Sequence, residues 1–400
     1  MQQNPLKTVE FVAMTDSYAK WAAGLLELAP RSWKTNFYVM DHQQSPTARQ
    51  LDAALAHTPH ARSVMQHISS RSLMNKWKHN PPTAVVVAGP GPFILALRQR
   101  LDKTSWGRAI ALIGGSPGIA THLDENSLRF RLALDVLIVA SHNERTTLSR
   151  EMTQLFGSHP VVALSTLPFI QNIEVRKQTD DSQDLVFAAQ PDIPATKEER
   201  LNVLRALLQF KRQHKLETIY IKLRALVGEA QTHTELFSYQ DLFNELVTRD
   251  EATRDEIRFL FGSMQDALAN PNTILATISS TAAIESIALG NPTLIVADAG
   301  VSRARANEVF MNSGLVNRLE DVALPYRGLP TDDWKRLNYF HNSAENDWIS
   351  SIDAIQSRTS PELSQHFSSQ QLLKNATSEA LRLSQQSAPL FKLYRLLFKR

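Results

Sequence analysis

Short, wholly apolar runs alternate with longer amphipathic segments along most of this chain, and that rhythm restricts it to an α/β fold. Residues 9–14, 37–40, 84–88, 109–113, 136–140 and 161–164 have the length and β-branched content of buried strands. Residues 18–28, 92–101 and 144–156 read as the helices between them. A strand that is apolar at every position needs cover on both faces, which predicts a parallel sheet flanked by helices. A polar stretch, 171–184, breaks the pattern and reads as an interdomain linker. The alternation then resumes with 185–189, 218–223, 274–278 and 293–297. Between the first two, 198–215 carries Leu201, Leu204, Leu207, Leu208 and Phe210 along one helical stripe. The expected architecture is two Rossmann-like doubly wound domains facing a cleft, at 1–175 and 185–360. C-terminal helices in 361–400, with 372–383 the clearest, could cross back to the first domain.

Composition narrows the class further. Four hundred residues, 43% of them hydrophobic, suffice for two cores. The absence of cysteine excludes disulfides and thiolate metal sites. A net charge of +3 gives no overall electrostatic case for nucleic acid. Lys7 and Glu10 interrupt the apolar start of the chain, so no signal peptide is read there, and no run has the length of a membrane span. These features predict a cytoplasmic protein. The histidines show no metal-ligand spacing such as HExxH, and no Walker, GxGxxG or GxSxG motif occurs.

Four clusters carry candidate chemistry. In 273–298, Ser279, Ser280 and Thr281 stand where a parallel strand gives way to a helix, a place where backbone N–H groups and the helix dipole receive phosphate. Gly290-Asn291-Pro292 stops that helix. Glu285 follows Thr281 by four residues, one too many for a capping box, which leaves its carboxylate free for ribose hydroxyls. The plainer alternative is an ordinary βαβ unit whose hydroxyls only cap a helix. Second, Lys222 and Arg224 lie two apart at a strand end and so share a face, with Glu229 and His233 following in a polar segment. Two cations there suit a phosphate, and His233 could donate to a leaving phosphate; the alternative is a solvated strand end and a surface histidine. Third, Gly114, Gly115 and Gly118 surround Ser116 after a strand, permitting positive φ and close backbone approach to a ligand, or simply a tight turn. Fourth, Asp16 follows the first strand, either as a general base for a sugar hydroxyl or, like Ser17, as a helix N-cap.

Several of these segments together resemble an actinobacterial-type family of glycosyltransferases with the GT-B fold. They are Asp16-Ser17-Tyr18 with Lys20-Trp21, Gly115-Ser116-Pro117-Gly118, Phe187-Ala188-Ala189-Gln190-Pro191, Lys222-Leu223-Arg224 with Gly228-Glu229 and Gln231-Thr232-His233, and Ser279-Ser280-Thr281-Ala282. The resemblance runs from about residue 9 to 320. A more distant likeness is to bacterial sialyltransferases, polysialyltransferases and glycerophosphotransferases, in which a Ser/Thr pair holds the donor phosphate. Their His-Pro motif is missing after Lys222, so the donor is left as CMP- or UDP-linked.

The resemblance implies a metal-independent transfer of sugar from a nucleotide donor to a cell-envelope or capsular glycan or lipid acceptor. Lys222, Arg224, Glu229, Ser279, Ser280, Thr281 and Glu285 would bind the donor. Gly115, Ser116 and Gly118 would form an acceptor-side loop, and Asp16 and His233 would be the catalytic pair. No cofactor is implied. A nucleotide-sugar epimerase of the same architecture and a non-catalytic nucleotide-sugar-binding module are the rival readings. The tail 390–400 gathers Lys392, Arg395, Lys399 and Arg400 around an apolar face. It could lie peripherally at the inner face of the plasma membrane, or pack on the first domain.

Overall fold

The computed structural model describes residues 7–355 except 43–44, 122, 172, 179–182, 192 and 224–234. The chain divides into two compact units, one built on the residues up to Phe169 together with those from Leu337 onward, the other on Ile170–Arg336.

In the first unit the strands are β1 (Thr8–Ala13), β2 (Lys34–Met40), β3 (Met65–Ile68), β4 (Ala84–Ala88), β5 (Ala111–Gly115), β6 (Val136–Val139) and β7 (Val161–Leu164). Its helices up to β7 are α1 (Asp16–Glu27), α2 (Ala48–Ala54), α3 (Pro59–Val64), α4 (Ser70–His79), α5 (Gly91–Asp102), α6 (Ser105–Arg108), α7 (Glu125–Arg131) and α8 (His142–Phe156). Among the described residues the seven strands are all parallel, in the order β3-β2-β1-β4-β5-β6-β7. Alternation of side chains across the pleat divides each central strand between two cores. Val12, Val85 and Val87 enter one, with Ile94 and Leu97 of α5. Phe11, Ala13, Val86 and Ala88 enter the other, with Trp21 and Leu25 of α1. This is why β4, AVVVA, is buried at every position.

The second unit contains β8 (Leu185–Ala188), α9 (Lys197–His214), β9 (Ile219–Lys222), α10 (Tyr239–Thr248), β10 (Ile257–Leu260), α11 (Met264–Ala267), β11 (Ile274–Thr277), α12 (Ala282–Leu289), β12 (Thr293–Val296) and β13 (Val316–Asn317). Its described strands are also parallel, in the order β10-β9-β8-β11-β12-β13. The apolar stripe of α9 lies in the core with Phe187, Ile221 and Ala276. A capping box between Thr196 and Glu199 starts this helix. After α13 (Asp332–Leu337), α14 (Trp348–Ala354) packs on the first unit, where Trp348 meets Trp33 edge-on at 6.0 Å.

The apolar runs correspond to strands in both units, but three strands carry no such run. These are β3, β10 and β13, and each stands at or next to the edge of its sheet. Gln66 and His67 of β3 and Arg258 of β10 are exposed, so these strands never acquire the continuous apolar signature of a covered one. The stretch expected as a linker is bound to the second unit instead. Arg176 N–H donates to Leu289 O at 2.8 Å, its guanidinium donates to Leu268 O and Ala269 O, and Gln183 pairs with the backbone of Tyr326. Its polar residues satisfy backbone groups, which is why it lacks a core signal. The second unit also ends earlier than residue 360. From Leu337 the chain belongs to the first unit, fastened where Asp347 accepts from Leu164 N–H at 2.6 Å and pairs with Arg145. The expected helices in 361–400, including 372–383 and 390–400, lie outside the described residues. Among the described residues no helix is long and apolar enough to cross a membrane.

Candidate functional site

Both sheets wind outward from their first strand, return to its other side, and wind outward again. Connections leave in opposite directions on either side of one crevice, between β1 and β4 in the first unit and between β8 and β11 in the second. In open α/β sheets ligands bind at the carboxyl ends of the strands flanking such a crevice.

In the second unit that crevice holds the hydroxyl-rich turn. Thr277, the last residue of β11, donates its hydroxyl to Ala188 O at 3.0 Å and accepts from Ser280 N–H at 3.3 Å. Gln190, just beyond β8, accepts from both the N–H and the hydroxyl of Ser279, at 3.1 and 3.0 Å. Ser280 Oγ accepts from Ala282 N–H at 3.2 Å, a local turn that opens α12. Thr281 is the N-cap residue, yet its side chain makes no capping bond. The three hydroxyls are therefore unequal. Ser279 and Ser280 shape the turn, and Thr281, partly exposed like Ser280, stands at the positive end of the helix without capping it. Gly290 ends α12 at φ 84°, the left-handed conformation the sequence called for.

Lys222 ends β9 beside Ala188 of β8, on the same carboxyl edge. It is 7% exposed and donates to Leu223 O at 2.7 Å. Burial holds its ammonium below the ordinary lysine pKa, and the Glu285 carboxylate in the first turn of α12 opposes that shift. Glu285 has an interaction partner within the protein, and its role toward a ribose stays an expectation. Arg224, Glu229 and His233 lie in 224–234, outside the described residues.

Two residues to which the sequence reading gave no role organise this edge. Gln190 is one. The other is Arg200 of α9, 1% exposed, whose guanidinium donates to the carbonyls of Gln190, Pro191, Pro194 and Phe237 and pairs with Glu235 at 2.8 Å. Its cation also lies 5.0 Å over the Tyr239 ring. Arg200 fixes the loop that presents Gln190, and Gln190 fixes Ser279. No sequence signal set it apart, because α9 also carries Arg205 and Arg212, and only burial distinguishes Arg200 from them.

In the first unit, Thr15 is the N-cap of α1 and Asp16 its first residue, so neither Asp16 nor Ser17 is the cap. Ser17 Oγ lies 3.5 Å from Asp16 Oδ1, and Asp16 is partly exposed at the carboxyl end of β1. Gly115 ends β5, and the reason for a glycine is packing rather than positive φ. A Cβ there would stand 2.4 Å from the Trp21 ring and 2.7 Å from Ile138 O. Gly114 likewise clears Leu134. Ser116 and Gly118 follow, partly buried, in the connection toward α7. Its next residue but one, Ala120, donates N–H to the buried carboxylate of Glu144 at 2.8 Å. Ala140 N–H and the Tyr339 hydroxyl satisfy the same carboxylate, whose pKa burial nevertheless raises. Among the described residues no group of three or more His, Asp or Glu is placed to hold a metal ion.

Residues 9–355 match the family described as "Putative glycosyltransferase (DUF6716)". The chain belongs to that family. No curated protein matches it in sequence. Among solved structures it is similar to S. aureus MnaA in complex with UDP, at 12% identity and TM-score 0.53, covering 86% of this chain and 94% of that one. It is equally similar to the pneumococcal O-GlcNAc transferase GtfA in complex with UDP and GlcNAc, at 8% identity, TM-score 0.53 and coverage of 94% and 99%. The Methanocaldococcus jannaschii UDP-GlcNAc 2-epimerase in complex with UDP-GlcNAc and UDP gives 11% identity, TM-score 0.53 and coverage of 92% and 99%. At these identities the likeness shows the fold, the two-Rossmann GT-B class common to these transferases and epimerases.

Proposed function

We propose that the protein is a glycosyltransferase that moves a sugar from a nucleotide-activated donor to an acceptor hydroxyl. The observation that supports this best is the start of α12 at the β8/β11 crevice of a Rossmann-ordered sheet, in a chain of a glycosyltransferase family. The donor phosphates would rest at that helix start, on Thr281 and the turn of Ser279 and Ser280, with Lys222 as the nearby cation. In the reaction the bond from the sugar C1 to the phosphate oxygen breaks and the acceptor oxygen bonds to C1. The acceptor proton leaves to a base, for which Asp16 is the candidate, and the nucleotide phosphate keeps the bonding pair. Fixed dipoles and a desolvated ammonium stabilise charge developing on that phosphate without reorganisation. Arg224, Glu229 and His233 remain assigned to the donor side by their sequence context. A cell-envelope or capsular glycan or lipid is the proposed acceptor.

The solved relatives that hold UDP make UDP sugars the first donors to test, with CMP sugars second. A thermal-shift panel of CMP, CDP, UDP and GDP identifies the nucleotide, because a ligand at about 100 times its Kd adds about 2.7 kcal/mol of apparent stability. Replacing Ser280 and Thr281 together by Ala should then weaken nucleotide binding by about 1–3 kcal/mol, the scale of hydrogen bonds to charged groups. Unchanged affinity in calorimetry removes the assignment. The epimerase reading is tested separately: UDP-N-acetylglucosamine incubated with the enzyme and no acceptor would be converted to its 2-epimer.

A further inference from the structure

The β1/β4 crevice of the first unit contains a cation with no counter-charge beside it. The last turn of α7 lies against the start of α5, which leaves β4 at that crevice: a Cβ on Gly91 would stand 2.7 Å from Cβ of Phe130. The next residue, Arg131, is 6% exposed, and among the described residues its guanidinium has no hydrogen bond and no ion pair. The other two buried arginines among the described residues are paired. Arg200 has Glu235 and four carbonyls, and Arg98 has Asp102 and Asp135. Arg131 feels only Tyr18, in the first turn of α1, and Asp124, the N-cap of α7, neither within contact. Burial holds its pKa below the ordinary arginine range against those two influences. A second polar group here is also unmatched. Thr15 Oγ1, at the N-cap of α1, is buried without a partner.

A largely buried guanidinium that no protein anion pairs, and whose nitrogens still reach solvent, is stabilised by an anion that a ligand brings to it. Tyr18, whose charge acts on Arg131, stands in the first turn of the twelve-residue helix α1, the start of which carries positive dipole and N–H groups at the carboxyl end of β1. A guanidinium fork matches carboxylate and phosphate alike, through two parallel N–H donors. We propose that the β1/β4 crevice is an oxyanion subsite, formed by Arg131, the Tyr18 hydroxyl and the N-terminus of α1, that takes a carboxylate or phosphate group carried by the sugar acceptor. This rests on the glycosyltransferase reading for the word acceptor, and on the first unit alone for the anion. Asp16, on the same helical turn, would face the acceptor hydroxyl rather than its anion.

The test is calorimetric titration of the full chain with inorganic phosphate and, separately, with glucuronate, at constant ionic strength set by chloride. One of the two should bind the wild-type protein, and which one does separates a phosphorylated acceptor from an acidic sugar. Arg131→Gln should weaken that binding about tenfold or more, and Arg131→Lys, which keeps the charge but loses the fork, by less. Tyr18→Phe removes one hydroxyl without adding strain and should weaken it severalfold, which keeps the test valid if the arginine variants fold poorly. Failure of both anions to bind folded wild-type protein, or equal binding by wild type, Arg131→Gln and Tyr18→Phe, overturns the proposal. UDP titrated into the same proteins reports the second unit independently. Loss of UDP binding with oxyanion binding intact would count against the glycosyltransferase reading and not against this subsite.

Discussion

The two crevices share a strand order and differ in how their polar groups are satisfied. At β8/β11 the turn is held by the protein itself: Gln190 takes Ser279, Thr277 takes Ser280, and Arg200 holds the loop behind them. At β1/β4 the protein leaves Thr15 Oγ1 buried without a partner, and among the described residues the Arg131 guanidinium has no hydrogen bond and no ion pair. A cradle finished in advance suits a ligand part that is always the same, such as the phosphates of a nucleotide. An unmatched cation suits a ligand part that brings its own charge. The contrast is therefore between preorganisation by hydrogen bonds and selection by charge.

The largest effect that would break this comparison is expected at Arg200. Arg200→Ala strands four carbonyls and leaves the Glu235 carboxyl, whose pKa burial already raises against the pull of Arg200, without its cation. Breaking a buried pair of this kind costs about 3–5 kcal/mol. Urea unfolding should show the midpoint fall with an unchanged slope. A loss below about 1 kcal/mol, the scale of one ordinary hydrogen bond, would mean that the second crevice is not held in advance.

Gly115→Ala probes the first crevice and should be smaller. The added methyl meets the Trp21 ring and the Ile138 carbonyl, and the carbonyl belongs to a central strand that cannot give way. Moving α1 outward is the remaining relief, at about 1–3 kcal/mol for overpacking. Because α1 carries Thr15, Asp16 and Tyr18, the same substitution should disturb oxyanion binding while leaving UDP affinity unchanged. A neutral outcome on stability would show that α1 is not fixed against the sheet, and the unmatched groups of that crevice would lose their meaning.

How much of this was legible follows from what each residue depends on. Strands such as β4 and β6 announced themselves because a strand covered on both faces is apolar throughout. The turn at Ser279–Thr281 was legible because strand, hydroxyls, helix and left-handed stop lie in one continuous stretch. The strands β3, β10 and β13 were not, since at these edges polar residues such as Gln66, His67 and Arg258 meet water or the strand is only two residues long. Gln190 is separated from Ser279 by 89 residues, and nothing local says that a glutamine after one strand will hold a serine after another. Arg131 looks like an ordinary polar residue on a short helix, and only the packing of α7 on α5 removes it from water. For Glu285 the spacing excluded a capping box correctly, while its influence on Lys222, which comes from another strand, is tertiary and has no local signal.

The smallest expected effect concerns acid, and it sets the first unit against the second by a different route. His341 is 5% exposed, with its ring 5.3 Å from that of His142. Burial is the main cause holding its pKa below the ordinary histidine value. The Asn346 hydrogen bond at 3.0 Å opposes this, His142 reinforces it, and Glu345 and Asp347 oppose it. The folded state therefore favours the neutral ring. Its contribution is complete above the unfolded value of about 6.5 and is lost as pH falls through the lower folded value. His341 sits in the segment that fastens to β7, where Asn346 Oδ1 also accepts from Thr166 N–H. Acid should thus loosen the first unit before the second. Tryptophan emission reads this directly, because Trp21, Trp33, Trp77, Trp106 and Trp348 belong to the first unit and only Trp334 to the second. Melting followed by tryptophan emission should decline from pH 7 to pH 5, more steeply than UDP-protected melting of the second unit. His341→Gln, which keeps an amide for Asn346 and cannot titrate, should flatten that decline. Equal slopes for the two proteins would mean that the histidine is not the group being protonated, and that the two units differ in their polar groups without differing in their response to acid.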